Sequence, residues 1–263
     1  MRRYLRKRDN VLVYIGTNAD QDFWDSQWKE INNKKKTNFP KNSYVSDITK
    51  KYLKPRSIII EGGCGRGNHV YSLKQNNYRP IGIDFAELTV KQVSDDYPEL
   101  DIRQGDVRSL DFESDSIDGY WSLGVIEHFY DGYSDISEEM KRVLRSGGYL
   151  FLTFPSMNLL RKIKAKLGFY DDFNESNNND FYQFCLDPED VIKNFQSLGL
   201  IKVKKTFRDG YKGLKDESPL FLKRYMQKIY DSDNLLAKSL RFTISKFFSW
   251  FSGHSCLIVF RKI

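Results

Sequence analysis

Three glycines, Gly63, Gly65 and Gly67, alternate with other residues directly after the apolar run SIIIE. Glycine lets a backbone approach a ligand closely, and the first amides of a following helix are free to bind it. A phosphate loop would end in Gly-Lys-Ser/Thr, and the dinucleotide fingerprint would need a third glycine where this chain has Asn68. The spacing therefore indicates a nucleoside-like ligand and disfavours both phosphate-binding patterns.

Two acids follow at the ends of the next two strand-like runs. Asp84 closes the run GID, and Asp106 lies in QGDV. A carboxylate at the first position can accept both hydroxyls of a ribose, and one at the second can accept from the exocyclic amine of adenine. Each acid alone is also typical of a solvated loop or a helix cap. With the glycines, they predict a site for an adenosine group.

The surrounding elements would bring these residues together. From residue 57 to about 155, short apolar runs alternate with helical patterns, which predicts an α/β fold with a parallel sheet covered by helices on both faces. The carboxyl ends of parallel strands share one edge of a sheet, where ligands bind. The predicted strands are 57–61, 79–84, 101–106, 116–124 and 148–154, followed by 201–207 and 255–263.

Composition narrows the class of protein. The 263 residues carry a net charge of +7, which favours an acidic partner such as a nucleic acid or an anionic membrane, although no RNA-binding motif is present. The cysteines, Cys64, Cys185 and Cys256, have no paired spacing, so neither a disulfide scaffold nor a metal site is predicted. The first apolar stretch is too short for a signal peptide, and no run approaches the roughly 20 residues of a membrane span. A cytoplasmic protein is predicted.

The order of five segments resembles the class I S-adenosylmethionine-dependent methyltransferases, in particular their small-molecule, type 11-like branch. The segments are IIIEGGCGRG, GIDFAE, QGDVRSLDF, IDGYWSLGVIEHF and LRSGGYLFLTFP, and they cover residues 57–155. The resemblance implies an enzyme with S-adenosylmethionine as its cofactor. It also implies a Rossmann-like sheet of seven mostly parallel strands whose last strand, supplied by residues 255–263, is antiparallel.

The resemblance assigns cofactor contacts along the same edge. Glu61 and the backbone of the three glycines would hold the amino-acid end, and Asp84 the ribose. The adenine would lie against Phe85. The remaining contacts implied are Asp106 and Val107 at the adenine edge, and Ser122 and Leu123 beside the sulfonium. Gly62 departs from the apolar residue usual in the family, which predicts a looser strand end.

Methyl transfer needs a dry pocket, an aligned acceptor and sometimes a base. His128 in VIEHF follows a predicted strand at the ligand edge and is the candidate base, although packing on the cofactor-side loop explains it equally. Glu127 is interpreted as a charge at a helix start. The chain lacks the Asn/Asp-Pro-Pro-Tyr pattern used on exocyclic nitrogens, which leaves an oxygen, nitrogen or carbon atom of a small molecule, a lipid or a glycan as acceptor.

The flanks would select the acceptor. Residues 1–50 are predicted as an N-terminal helical lid, in which Trp24 and Trp28 cover the cofactor, and residues 51–263 as the methyltransferase domain, with helical insertions at about 156–186 and 214–252. Tyr182 and Phe184 would wall the acceptor pocket. Core packing is the alternative for all four aromatic residues.

Two basic helical segments, residues 158–169 and 236–251, could contact a membrane. In 236–251 six apolar residues fall on one face, namely Leu236, Leu240, Ile244, Phe247, Phe248 and Phe251. Lys238, Arg241 and Lys246 lie off that face, a pattern typical of a helix at a membrane surface or of one packed over the sheet. Two other functions stay open: a nicotinamide-dependent oxidoreductase on a similar sheet, and a non-catalytic methyltransferase-like protein that binds RNA or a membrane.

Overall fold

The computed structural model describes residues 2–34, 39–175 and 180–263, and within 29–34 it describes the backbone alone. Residues 176–179 of the polar loop in the first predicted insertion lie outside these ranges. The strands are β1 Arg2–Arg6, β2 Val11–Ile15, β3 Ile58–Gly62, β4 Arg79–Asp84, β5 Ile102–Gln104, β6 Ile117–Leu123, β7 Leu144–Pro155, β8 Asp171–Asp172, β9 Phe181–Cys185, β10 Leu200–Arg208 and β11 Ser255–Lys262. The helices are α1 Gln21–Lys34, α2 Tyr44–Thr49, α3 Asn68–Gln75, α4 Glu87–Asp96, α5 Ser134–Val143, α6 Leu159–Lys166, α7 Pro188–Ser197, α8 Gly210–Glu217, α9 Leu220–Asp231 and α10 Leu235–Ser252.

The main sheet has seven strands in the order β10-β11-β7-β6-β3-β4-β5. Strand β11 pairs antiparallel with both β7 and β10, whereas β3, β4, β5, β6 and β7 pair in parallel. This arrangement confirms the predicted Rossmann-like fold, including the antiparallel last strand.

Helices cover both faces of this sheet because its central strands are apolar on both sides. Ile60 and Tyr120 face a core that includes Met140 of α5. Their chain neighbours Ile59 and Trp121 face a separate core with residues of α2 and α3. Alternation with a period of two thus divides each strand between two layers of helices.

A second sheet was not expected from the sequence. It has four strands in the order β8-β1-β2-β9, with β1 and β2 forming an antiparallel hairpin. The prediction that residues 1–50 are helical is therefore wrong for residues 2–15, and the first insertion contains β8 and β9 as well as α6. Strand β2 is buried on both sides: Val13 packs in the main core, and Leu12 packs in a smaller cluster with Met157.

Candidate active site

The glycine loop joins β3 to α3 at the carboxyl edge of the main sheet. Gly63, Gly65 and Gly67 all have positive φ values, of 72°, 49° and 73°, a conformation that favours glycine. Space is also restricted, because a Cβ atom on Gly65 would lie 2.7 Å from the ring of Trp28. The amides of Gly63 and Cys64 both donate to the carbonyl of Ile83 at the end of β4. The loop is therefore held close to the neighbouring strand.

Asp84 fastens this loop from the other side. Its Oδ2 accepts from the amide of Gly65 at 2.7 Å, and its Oδ1 accepts from the amide of Ala86 at 3.0 Å. Burial raises the pKa of this carboxyl, and the two backbone donors oppose that rise. A carboxylate has about four acceptor positions, so these bonds leave capacity for the hydroxyls of a ribose. The ribose role of Asp84 stays a prediction.

Glu61 and Ser122 lie on the neighbouring strands β3 and β6, and both are buried. Oε2 of Glu61 and Oγ of Ser122 have no hydrogen-bond partner among the described residues. Burial, and then the charge of Asp84, raise the pKa of Glu61 well above its usual value. Buried polar atoms without partners are rare, and these two lie beside the glycine loop. They fit a ligand that brings its own polar groups, as the amino-acid end of the implied cofactor would.

The residues predicted to contact the adenine differ from one another in exposure and pairing. Phe85 follows Asp84 with 41% of its surface exposed, so one ring face is available. Asp106 is paired with Arg108 at 2.6 Å, and hydrogen bonds from Arg108 lower its pKa. Val107 is buried in the main core, which leaves its backbone to meet a ligand. Leu123 ends β6, partly buried.

His128 ends a 3₁₀ helix, Ile126–His128, that follows β6. Its Nδ1 lies 2.7 Å from the backbone carbonyl of Tyr182. A carbonyl only accepts, so Nδ1 carries the hydrogen and Nε2 carries the lone pair of the neutral ring. Burial lowers the pKa of His128 to about 4, which keeps the ring neutral at pH 7. The geometry suits a base, and that role stays a prediction.

Glu127, interpreted from the sequence as a charge at a helix start, differs from that expectation in its burial. It is buried, its Oε2 has no partner among the described residues, and burial raises its pKa to about 8. Burial, and then the charge of Glu127, raise the pKa of Tyr182. Glu127 does lie in the first turn of the 3₁₀ helix, but its carboxyl is buried rather than solvated. Its place directly before the candidate base, inside an apolar segment, was the available signal.

Helix α1 lies across this edge. The rings of Trp24 and Trp28 stack with centroids 6.1 Å apart, and Trp24 also meets His128 edge-on at 5.1 Å. Asp25 accepts hydrogen bonds from both the amide and the hydroxyl of Thr89, each at 2.8 Å. The structure thus brings both predicted tryptophans to the site and ties α1 to α4.

Of the two predicted wall residues, the structure brings only Tyr182 to this cluster. The ring of Tyr182 meets His128 edge-on, with centroids 5.0 Å apart. Phe184 is 3% exposed and packs between Phe181 and the guanidinium of Arg6. The pocket-wall prediction is therefore wrong for Phe184, because the pairing of β9 with β2 turns this side chain into the core.

Comparison with known proteins identifies one domain within this chain. Residues 60–152 match the family model described as a methyltransferase domain. A protein of Mycolicibacterium smegmatis assigned as an S-adenosylmethionine-dependent methyltransferase is 37% identical over 98 residues. This chain carries a methyltransferase domain at residues 60–152. The matched segment of the domain holds the glycine loop, Asp84, Ser122 and His128.

The matches with relatives are confined to part of each chain. The alignment with the M. smegmatis protein covers 37% of this chain and 38% of that protein. Phthiotriol/phenolphthiotriol dimycocerosates methyltransferase 1 of Mycobacterium ulcerans is 31% identical over 99 residues, which cover 36% of each chain. This chain therefore spans little more than a third of the length of these relatives.

The fold of the methyltransferase domain also recurs in solved structures. The cyclase SpnF superposes with a TM-score of 0.58 at 13% identity, over 95% of this chain and 98% of its own. That protein is named for a cyclisation. The fold alone therefore does not determine which reaction a protein catalyses.

Gly62 of the methyltransferase domain has a steric explanation. A Cβ atom at this position would lie 2.1 Å from the hydroxyl of Tyr120 on the adjacent strand β6. The expected looseness of the strand end is therefore wrong, because the Tyr120 side chain occupies the space that a larger residue would fill.

An open cavity lies elsewhere in the methyltransferase domain. It has a volume of about 420 Å³ and is lined by the first residues of β3, β4 and β6, namely Ile58, Arg79 and Ile117. These are the amino ends of the strands, opposite the glycine loop. At the carboxyl ends, the rings of α1 occupy the space above Gly65 and His128. The cavity is therefore unrelated to the candidate active site.

Proposed function

We propose that this protein is an S-adenosylmethionine-dependent methyltransferase whose cofactor binds at the glycine loop, where the ring of Trp28 lies in this structure. The observation that carries the proposal is the pair of buried, unpartnered polar atoms of Glu61 and Ser122 beside that loop. Leaving such atoms unsatisfied costs about 1–3 kcal/mol each, so a polar ligand gains by pairing with them. The methyltransferase domain supplies the chemical class of this ligand.

Each group of the cofactor has residues that would hold it. Glu61 would accept from the ammonium of the amino-acid end, Asp84 from the ribose, and Phe85 would stack on the adenine. When bound, the cofactor supplies an electrophilic methyl group on a sulfonium. Trp24 and Trp28 would cover it and exclude water, which strengthens every electrostatic interaction beneath them.

The acceptor would lie against His128 and Tyr182. Nε2 of His128 is the atom that would take a proton from an attacking hydroxyl or amine, and the carbonyl of Tyr182 holds the ring in the required tautomer. Glu127 would help to orient the acceptor as a neutral hydrogen-bond donor, since its pKa of about 8 keeps it protonated at pH 7.

A small molecule or a lipid is the acceptor class that this site favours. The ring of Phe23 lies edge-on to Tyr182 at 5.8 Å, and Trp24 closes the same side, so the wall is aromatic. The M. ulcerans relative is named as a methyltransferase of dimycocerosates, which supports a lipid. A lipid acceptor would require access to a bilayer surface, which a cytoplasmic protein gains by peripheral contact.

Calorimetry with S-adenosylhomocysteine tests the proposal, with NAD as the competing ligand. We expect Glu61→Gln to lower the affinity for S-adenosylhomocysteine by about tenfold or more, because the charge opposite the ammonium is lost. The melting temperature of this variant should be unchanged or higher than that of the wild type. Asp101→Asn, at the amino end of β5, is the matched control and should bind as the wild type does. Binding of NAD alone, or equal affinity of Glu61→Gln and wild type, would contradict the proposal.

A further inference from the structure

Helices α9 and α10 present apolar side chains to solvent. Both lie wholly within the described residues, where α9 has no buried residue and α10 has only Ser252. Leu236, Phe247 and Trp250 are 78%, 63% and 64% exposed. We call the exposed large apolar residues of these two helices the aromatic face: Leu220, Phe221, Leu222, Tyr225, Tyr230, Leu235, Leu236, Leu240, Phe242, Phe247, Phe248 and Trp250. Exposed apolar surface concentrated on two helices that contact each other is typical of an interaction site.

The face is exposed because α10 packs through its polar side. The hydroxyls of Ser245 and Ser249 accept from the amides of Tyr211 and Gly210, and the hydroxyl of Ser252 donates to the carbonyl of Gly210. Packing is close, since helix α8 has glycine where it meets the end of α10. Of the apolar face predicted for α10, Ile244 and Phe251 are partly buried, as packing over the sheet would make them. The other members, Leu236, Leu240, Phe247 and Phe248, are exposed.

Charge distinguishes among the occupants that such a face could take. Residues 220–252 contain six lysines and arginines and two acids, and α10 contains no acid. Helix α6, which contacts α10, adds the exposed Lys166 and Leu159, whereas its Lys162 is paired with Asp187 at 2.6 Å. A second copy of this chain would bring like charges together, whereas anionic headgroups would pair with them. Tryptophan and tyrosine at the rim suit the boundary between water and acyl chains.

The aromatic face belongs to the same edge of the main sheet as the glycine loop. Helix α6 follows the carboxyl end of β7, and α8–α10 connect the end of β10 to the start of β11. Ser255 at the start of β11 pairs with both Pro155 and Arg208, the last residues of β7 and β10. The exposed helices therefore lie at the carboxyl edge, where an acceptor would enter.

We propose that the aromatic face docks this protein on the surface of an anionic lipid bilayer. The apolar side chains of α9 and α10 would enter the headgroup region, while the flanking lysines and arginines pair with lipid phosphates. No helix among the described residues is long and apolar enough to cross a bilayer, so docking would be peripheral. The inference rests on the exposed surface and stands apart from the proposed chemistry.

Vesicle sedimentation tests this proposal with the full chain. We expect the protein to sediment with vesicles that contain phosphatidylglycerol, less with pure phosphatidylcholine, and less at high salt because screening weakens the charge pairing. The variant Phe247→Ser/Trp250→Ser should lower the partition constant for these vesicles by about tenfold or more, since two interfacial aromatic anchors are lost. A matched control, Leu88→Ser/Ile201→Ser, removes exposed apolar residues of α4 and β10.

Two outcomes would overturn the proposal. The first is equal vesicle binding by wild type and Phe247→Ser/Trp250→Ser, or no binding by either. The second is a wild-type protein that does not bind vesicles and is a dimer in gel filtration, whereas the variant is a monomer. This result would assign the face to a second copy of the chain. Calorimetry with S-adenosylhomocysteine on the same samples shows that the variants are folded, so that loss of docking and loss of cofactor binding are read separately.

Discussion

Glu127 shows how strongly the fold alters the chemistry of one residue. On a solvated helix its carboxyl would be ionised at pH 7, but in this structure it lies buried next to His128 without a partner for Oε2. Burial raises its pKa to about 8. A buried carboxyl with a raised pKa is neutral at pH 7 and can donate a hydrogen bond.

The stability of the protein should report this pKa. Between pH 4.5 and 8 the folded chain keeps a proton on Glu127 that the unfolded chain has lost. The free energy of unfolding therefore falls as pH rises through this window, by up to about 1.4 kcal/mol per pH unit. Glu127→Gln should remove this contribution, as measured by urea denaturation at pH 5, 6, 7 and 8.

Glu138→Gln is the matched control, because Glu138 is exposed on α5. Its pH profile should follow the wild type. If Glu127→Gln also follows the wild type across the window, the carboxyl of Glu127 is ionised in the folded chain.

At the scale of elements, α1 does more than cover the site. Ala86, the residue before α4, has no side chain that can cap this helix. The amide of Thr89, in the first turn of α4, donates instead to Asp25 of α1. One carboxylate thus stabilises the start of α4 and fixes the position of α1. Asp84 accepts from the amide of Ala86, so the residue predicted to bind the ribose and the start of α4, which holds α1, lie on one stretch of chain.

Asp25→Ala should release α1. Two hydrogen bonds to a charged group are lost, each worth about 1.5–3 kcal/mol, so amide hydrogen exchange across residues 21–34 should accelerate by about tenfold or more. S-adenosylhomocysteine should also bind more weakly, because Trp28 no longer covers Gly65. Asp22→Ala, an exposed change on the same helix, should leave both readings unaltered. Unchanged exchange in Asp25→Ala would show that the aromatic contacts alone hold α1.

At the scale of the whole molecule, Glu217 joins the second sheet to the helices of the main domain. Its carboxylate accepts from Arg161 and Lys164 of α6 at 3.0 and 2.9 Å, from the hydroxyl of Tyr170 at 2.7 Å, and from Arg3 of β1. Burial alone would raise the pKa of Glu217, but the surrounding cations and donors hold it at about 2. The carboxylate is therefore charged throughout the usual pH range.

Glu217→Gln should destabilise the folded chain by about 3–5 kcal/mol, because Arg161 would remain buried with its partner lost. Guanidinium denaturation gives this value directly. Asp172→Asn removes an exposed carboxylate that pairs with Lys7 at 2.6 Å on the same second sheet, and should cost less than about 1 kcal/mol. Similar losses for both variants would mean that Glu217 contributes no more than a surface pair.

Local pattern explains how much of this architecture the sequence predicts. The main sheet and the glycine loop follow from short-range features: alternating apolar strands, helix signals and turn glycines. The second sheet depends on pairing between residues 11–15 and 181–185, which no local pattern encodes. The aromatic face was visible as a helical period, but its direction was not, because the serines that hold α10 against α8 resemble ordinary surface residues.

The position of Trp28 over Gly65 sets a limit on exchange kinetics. A ligand that lies on the glycine loop can enter or leave only while α1 is displaced, so its exchange rate cannot exceed the opening rate of that helix. Opening breaks the bonds between Asp25 and Thr89, which couples the rate to α4 as well. For the proposed methyltransferase we expect release of the spent cofactor, rather than the displacement step, to limit turnover, which would appear as a burst of product in the first cycle.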